Sequence, residues 1–89
     1  GIDSRELLRR TMTLIRDQHF EPGNIDTTIV LQRPRIAPYI QEIIRSLAET
    51  MHMDPSAISV KAKTSEKLGF IGREEGVSAY AAVLLHKTI

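Results

Sequence analysis

Lys63-Thr64-Ser65-Glu66 places a cation, two hydroxyls and a carboxylate in four consecutive residues. Hydroxyls and backbone N–H groups leading into a turn can hold phosphate oxygens, and a neighbouring carboxylate can bind a hard divalent cation. The same residues also make a helix cap, since Thr or Ser followed by Glu satisfies a helix's first N–H groups. The segment alone leaves both readings open. Downstream, Gly69-Phe70-Ile71-Gly72-Arg73-Glu74-Glu75-Gly76 puts an apolar and a cationic contact on one glycine-rich loop. The Arg73 fork suits an oxyanion. The plainer alternative is a hairpin loop with a tucked Phe and a surface Glu–Arg pair worth under about 1 kcal/mol. A third feature is the corner Gln32-Arg33-Pro34-Arg35-Ile36-Ala37-Pro38. Its prolines fix the backbone, so N–H and C=O groups there could read a planar ligand edge at little entropic cost. Otherwise it is a strand-to-helix connection with solvated arginines.

Other chemistries fit less well. With no cysteine there is no disulfide framework and no thiolate zinc site. His19, His52 and His86 stand at no metal-ligand spacing from one another, and the first two read as helix-end residues near a macrodipole. Met51-His52-Met53 reads as helix-end packing and Arg9-Arg10 as a solvated face. Nucleophilic catalysis needs a base beside Ser or Thr, and no histidine lies near those hydroxyls in sequence. A net charge of +1 gives no footprint for nucleic acid. No apolar run approaches the roughly 18 residues that would span a bilayer.

Five elements must position these segments. Asp3 and Glu6 resemble a capping box, and Leu7, Leu8, Thr11, Leu14 and Ile15 mark one face of a helix over Ser4–His19. Phe20 to Asn24 reads as a break, with Pro22-Gly23 as a turn. Ile25–Gln32 predicts a strand buried on both faces, and a helix then runs to Met53 with Pro38 in its first turn. Ile58, Val60 and Ala62 alternate with Ser59, Lys61 and Lys63, predicting a half-exposed strand. Val77–His86 predicts a last strand, apolar on both faces and so in need of cover twice over. The order is α-β-α-β-β, and a crossover helix at the start requires a strand before it. A chain of 89 residues buries only about 60–65% of its unfolded surface, so its thin core predicts association with further subunits. The opening at Gly1, without Met, predicts a cut or an omitted segment.

Asp3-Ser4-Arg5-Glu6-Leu7-Leu8, Gly23-Asn24-Ile25-Asp26-Thr27-Thr28-Ile29 with Gln32, Pro34 and Pro38, and the run Val60 to Gly76 around Glu66-Lys67-Leu68-Gly69-Phe70-Ile71-Gly72-Arg73 carry a resemblance. Together they are similar to the 2-C-methyl-D-erythritol 2,4-cyclodiphosphate synthase family of non-mevalonate isoprenoid biosynthesis, across nearly the whole chain. The resemblance implies an α+β fold, a mixed sheet with helices on one face. It is chorismate-mutase-like, (β)-α-β-α-β-β, with its first strand absent, and residues 1–89 are the C-terminal portion of a single domain. It implies a homotrimer with active sites between subunits. It implies a lyase-type cyclisation in which the CDP ester of methylerythritol 2-phosphate becomes the cyclic diphosphate and releases CMP. Implied cofactors are zinc, whose Asp-x-His and further His ligands lie outside this chain, and magnesium or manganese on Glu66.

Carried over by position, Leu31, Pro34, Arg35, Ile36 and Ala37 would line the cytidine pocket. Ala62, Lys63 and Thr64 would close it at the phosphates, Thr64 and Glu66 would serve catalysis, and Phe70 and Arg73 would face the trimer channel. Lys63 stands where the family usually has Thr, Glu74 where Gly is common, and Ser65 where Thr is usual. The expected setting is cytoplasmic in a bacterium and a plastid-type organelle in a eukaryote. A non-catalytic trimeric nucleotide or diphosphate binder is the main alternative, and a structural trimer sharing only the fold is a third.

Overall fold

The computed structural model describes residues 3–31, 36–64 and 78–88. Helix α1 spans Ser4–Asp17, and the Asp3 carboxylate accepts the Arg5 N–H at 2.8 Å. The reciprocal half of the expected capping box does not form. Glu6 turns outward to Arg9 and Arg10 at 3.3 and 3.4 Å. The buried stripe is Leu8, Met12 and Ile15, while Leu7 and Leu14 of the expected face are exposed. The helix stops two residues short of the predicted His19, which takes a left-handed conformation, φ 65°, and reverses the chain.

Strand β1 covers Phe20–Val30, so the expected break at Phe20–Asn24 is part of the strand. A register shift between Pro22 and Asn24 explains this. Pro22 still pairs with Leu85, and the bulge leaves Gly23 as the extra, unpaired residue. Gly23 sits in that bulge under the His86 imidazole, where a Cβ would collide with the ring. The expected start at Ile25 missed this because Pro-Gly reads locally as a turn.

A 3-10 turn over Ala37–Tyr39, with Pro38 inside it, leads into helix α2, Ile40–Met51. It ends at left-handed His52, φ 54°, where the Met53 N–H reaches the Ala48 carbonyl at 2.9 Å in a Schellman-type closure. Asp54 then accepts the Ser56 N–H and hydroxyl, capping a short 3-10 turn before strand β2, Ile58–Lys63. Strand β3 covers Ser78–Lys87.

The sheet order is β2-β1-β3, with β2 parallel and β3 antiparallel to central β1. This is a mixed-sheet α+β architecture, as the sequence predicts. Ile25, Ile58 and Val60 share one pleat face with Ile29 and pack against Met12, Ala48 and Met51 of the helices. The opposite face carries Asn24, Asp26, Thr28 and Val30, flanked by Ser59, Lys61 and Lys63 on one side and Tyr80, Ala82 and Leu84 on the other. No described element covers it. β3 is exposed almost throughout, so its Tyr80 and Leu84 stand open on one face and Val83 and Leu85 on the other.

One side chain ties the foot of the fold together. Arg16 donates bidentately to Glu21 at 2.6–3.1 Å and also to the Met51 carbonyl at 2.7 Å. It thus joins the end of α1, the start of β1 and the end of α2, whose last carbonyls lack helical donors.

Candidate functional site

The parallel β1–β2 pair determines where the predicted site residues fall. Ile29 stands opposite Ala62 and Val30 opposite Lys63, and the Leu31 N–H continues the ladder to the Lys63 carbonyl at 3.0 Å. Both strands therefore end together, which brings Leu31 and Lys63 side by side although they are 32 residues apart in sequence. Open sheets bind ligands in the crevice beyond the carboxyl ends of parallel strands.

The structure brings Leu31 to the strand end as a buried residue, with Ile36 and Ala37 returning at the head of α2. Ile36 is half-buried and its carbonyl accepts the Tyr39 N–H at 2.8 Å, so the backbone here is held by its own turn. Ala62, Lys63 and Thr64 are exposed at the adjoining end of β2. Pleat alternation divides them: Ala62 shares the helix-side face with Ile29, whereas Lys63 shares the uncovered face with Lys61 and Val30. Ala62 and Lys63 thus address different sides of the sheet. Pro34, Arg35, Glu66, Phe70 and Arg73 lie outside the described residues.

Among the described residues, no three His, Asp or Glu side chains converge where they could hold a metal ion. The zinc ligands that the resemblance implies are expected outside this chain. The groups with displaced pKa values are structural. The Arg16 hydrogen bonds hold the Glu21 carboxyl below its ordinary value and raise the Arg16 guanidinium. Backbone N–H donation from Ser56 lowers Asp54, and from Arg5 lowers Asp3.

Sequence reasoning gave little weight to the uncovered face. A cavity of about 520 Å³ opens there, lined by Asn24, Asp26, Ser56, Ser59, Ala82 and Leu84 among others, and it touches none of the predicted site residues. Period-2 alternation shows that such a face exists, but only the register shows which residues meet on it. No described helix is long and apolar enough to cross a membrane.

The architecture has close counterparts among solved structures. IspF of Plasmodium falciparum in complex with CDP superposes with a TM-score of 0.93 at 34% identity, over 98% of this chain and 56% of that one. The bifunctional IspDF of Campylobacter jejuni gives a TM-score of 0.94 at 39% identity, over 99% of this chain and 24% of that one. The model of the YgbB family matches residues 1–86, and the chain belongs to that family. Curated relatives carry a specific name. The 2-C-methyl-D-erythritol 2,4-cyclodiphosphate synthase of Parabacteroides distasonis is 52% identical over 87 residues, covering 98% of this chain and 54% of that protein. Its namesake in Porphyromonas gingivalis is 55% identical over 85 residues, covering 96% and 52%. The chain spans about half the length of the curated relatives it matches.

Proposed function

We propose that this chain is the C-terminal, nucleotide-holding portion of a 2-C-methyl-D-erythritol 2,4-cyclodiphosphate synthase. The observation that carries the reading is the shared strand end, where Leu31 and Lys63-Thr64 lie adjacent through the Leu31–Lys63 hydrogen bond. The relatives' names and the CDP bound by a structural neighbour support it. The cytidine sits against Leu31, Pro34, Arg35, Ile36 and Ala37, with Ala62 beside it and Lys63 and Thr64 at the phosphates. Backbone groups select the base, and a rigid corner loses little entropy in doing so.

In the reaction, an oxygen of the substrate's 2-phosphate bonds to the β-phosphorus, the β-phosphorus–oxygen bond to CMP breaks, and CMP leaves with that oxygen. Phosphoryl transfer of this kind depends mainly on positioning and charge neutralisation. Thr64 orients a phosphate oxygen by hydrogen bonding, and Glu66 takes a magnesium or manganese ion. Zinc belongs to residues outside these 89. The working form is a homotrimer with sites between subunits, with Phe70 and Arg73 facing its channel. The missing first strand of the chorismate-mutase-like sheet pairs with β3, whose outer edge is unpaired among the described residues and whose apolar side chains lack cover on both faces. The setting is the cytoplasm of a bacterium or a plastid-type organelle.

The test is CMP release from the CDP ester of methylerythritol 2-phosphate by the full-length protein. Glu66→Ala is expected to abolish release, a drop of at least about 10³-fold for losing a metal-held phosphate, while the oligomer persists. Unchanged turnover would remove Glu66 from the mechanism. CDP binding by the wild type without any CMP release would favour the non-catalytic binder.

A further inference from the structure

The uncovered sheet face carries charges that have no partner among the described residues. Asp26 stands in the middle of central β1, with Ser59 and Ala82 as lateral neighbours. Among the described residues it has neither an ion pair nor a hydrogen bond. Lys61 occupies the same face one pleat further along β2, opposite Thr28, which in turn faces Tyr80. It too has no ion pair among the described residues. The β3 flank of the face is apolar, with Tyr80 64% and Leu84 54% exposed.

Water satisfies both charges while the face is open. Once the face is covered, an unpaired carboxylate or ammonium loses its hydration and requires an opposite charge. A second copy of the same face supplies one. In a rotationally closed ring the contacts are heterologous, so one part of the patch meets a different part of the next copy. An acid and a base at different positions on one face are then complementary between copies, and the apolar Tyr80–Leu84 strip supplies the burial. Lys63 is less suited, because it sits at the strand end that borders the nucleotide segments.

We infer that Asp26 of one subunit pairs with Lys61 of the next, and that this charge pair sets the register of the assembled sheets. The inference rests on the trimeric reading above. It assigns these two residues to assembly and keeps them out of the nucleotide site.

The experiment uses two differently tagged full-length chains produced together, one Asp26→Cys and the other Lys61→Cys. The 89 residues contain no cysteine, and any elsewhere in the protein is changed to Ser. A short bismaleimide then joins thiols that lie close together. A product carrying both tags is a link between chains by design, and its yield is expected to exceed that of an Asp26→Cys/Lys87→Cys pairing at least tenfold. A mixed trimer that gives no excess over this control overturns the proposal.

Should the cysteine variants fail to assemble, charge reversal answers the same question. Asp26→Lys is expected to weaken trimer assembly at least tenfold by sedimentation, and Asp26→Lys with Lys61→Asp to restore it. Failure of the double variant to recover overturns the pair. A monomeric wild type overturns the trimeric reading itself, which is a separate outcome.

Discussion

β2 and β3 flank the same central strand, yet their surroundings differ. β2 begins buried, with Ile58 and Val60 under the helices, and becomes exposed only over its last residues. β3 is longer and paired to β1 along its length, but almost every side chain on it is open. Hydrogen bonding is therefore similar while burial is not. Backbone pairing places a strand, and burial of its side chains anchors it, because a net hydrogen bond contributes only about 1 kcal/mol against several for a buried aliphatic side chain.

Substitution on the two strands should separate these contributions most clearly. Ile58→Ala is expected to cost about 2–5 kcal/mol in urea unfolding, as deletion from a packed core does. In the dissociated subunit, where Leu84 is exposed, Leu84→Ala should stay within about 0.5 kcal/mol. Equal losses at both sites would mean that β3 is covered in the measured species, and would break the contrast.

A smaller effect is expected where Arg16 holds the foot of β1, next to the Glu21–His86 register pair with β3. The Glu21 carboxyl lies below its ordinary value in the folded chain, chiefly because the Arg16 side chain hydrogen-bonds to it. The unfolded chain therefore takes up the proton first as pH falls. The stabilisation is whole above the ordinary value of 4.5 and is lost as pH drops through the folded one. Glu21→Gln should flatten that acid limb by at most about 1 kcal/mol, since the pair is partly exposed and solvent-screened. An unchanged stability–pH profile would show that the link contributes nothing.

The smallest effect belongs to the bulge. Gly23→Ala presses against His86, but an exposed imidazole can swing away, so a loss of about 1 kcal/mol or less is expected. His86→Ala should cancel it in a double-mutant cycle. A larger, uncancelled loss would point to the backbone instead of the ring.

The contrast also explains what the sequence could tell. Helical periodicity located both helices and alternation located β2, because each buries one face within the described chain. The end of α1 and the start of β1 were misplaced because left-handed His19 lacks the usual glycine signal and Pro22-Gly23 imitates a turn. Only β3's long-range pairing shows that they lie in a strand. The stripe on α1 was also misread, since Leu7 and Leu8 are equally apolar and only the packing partner distinguishes them. For the candidate site, residue types suggested phosphate chemistry without deciding it. The parallel register that sets Leu31 beside Lys63 is a tertiary fact that no local pattern contains.

The strand order has a consequence for how the protein is made. β1 is central only because β3 joins it, and Phe20 pairs with Lys87. During synthesis, β1 emerges with one flank waiting for residues 78–87. At about 5–20 residues per second, the 56 residues after position 31 take roughly 3–11 s to follow. For that interval a strand rich in Thr, Ile and Val offers a bare edge to any neighbouring chain. The ten residues of β3 therefore act as the protein's own guard against aggregation, and a ribosome that stalls before them releases an unprotected strand.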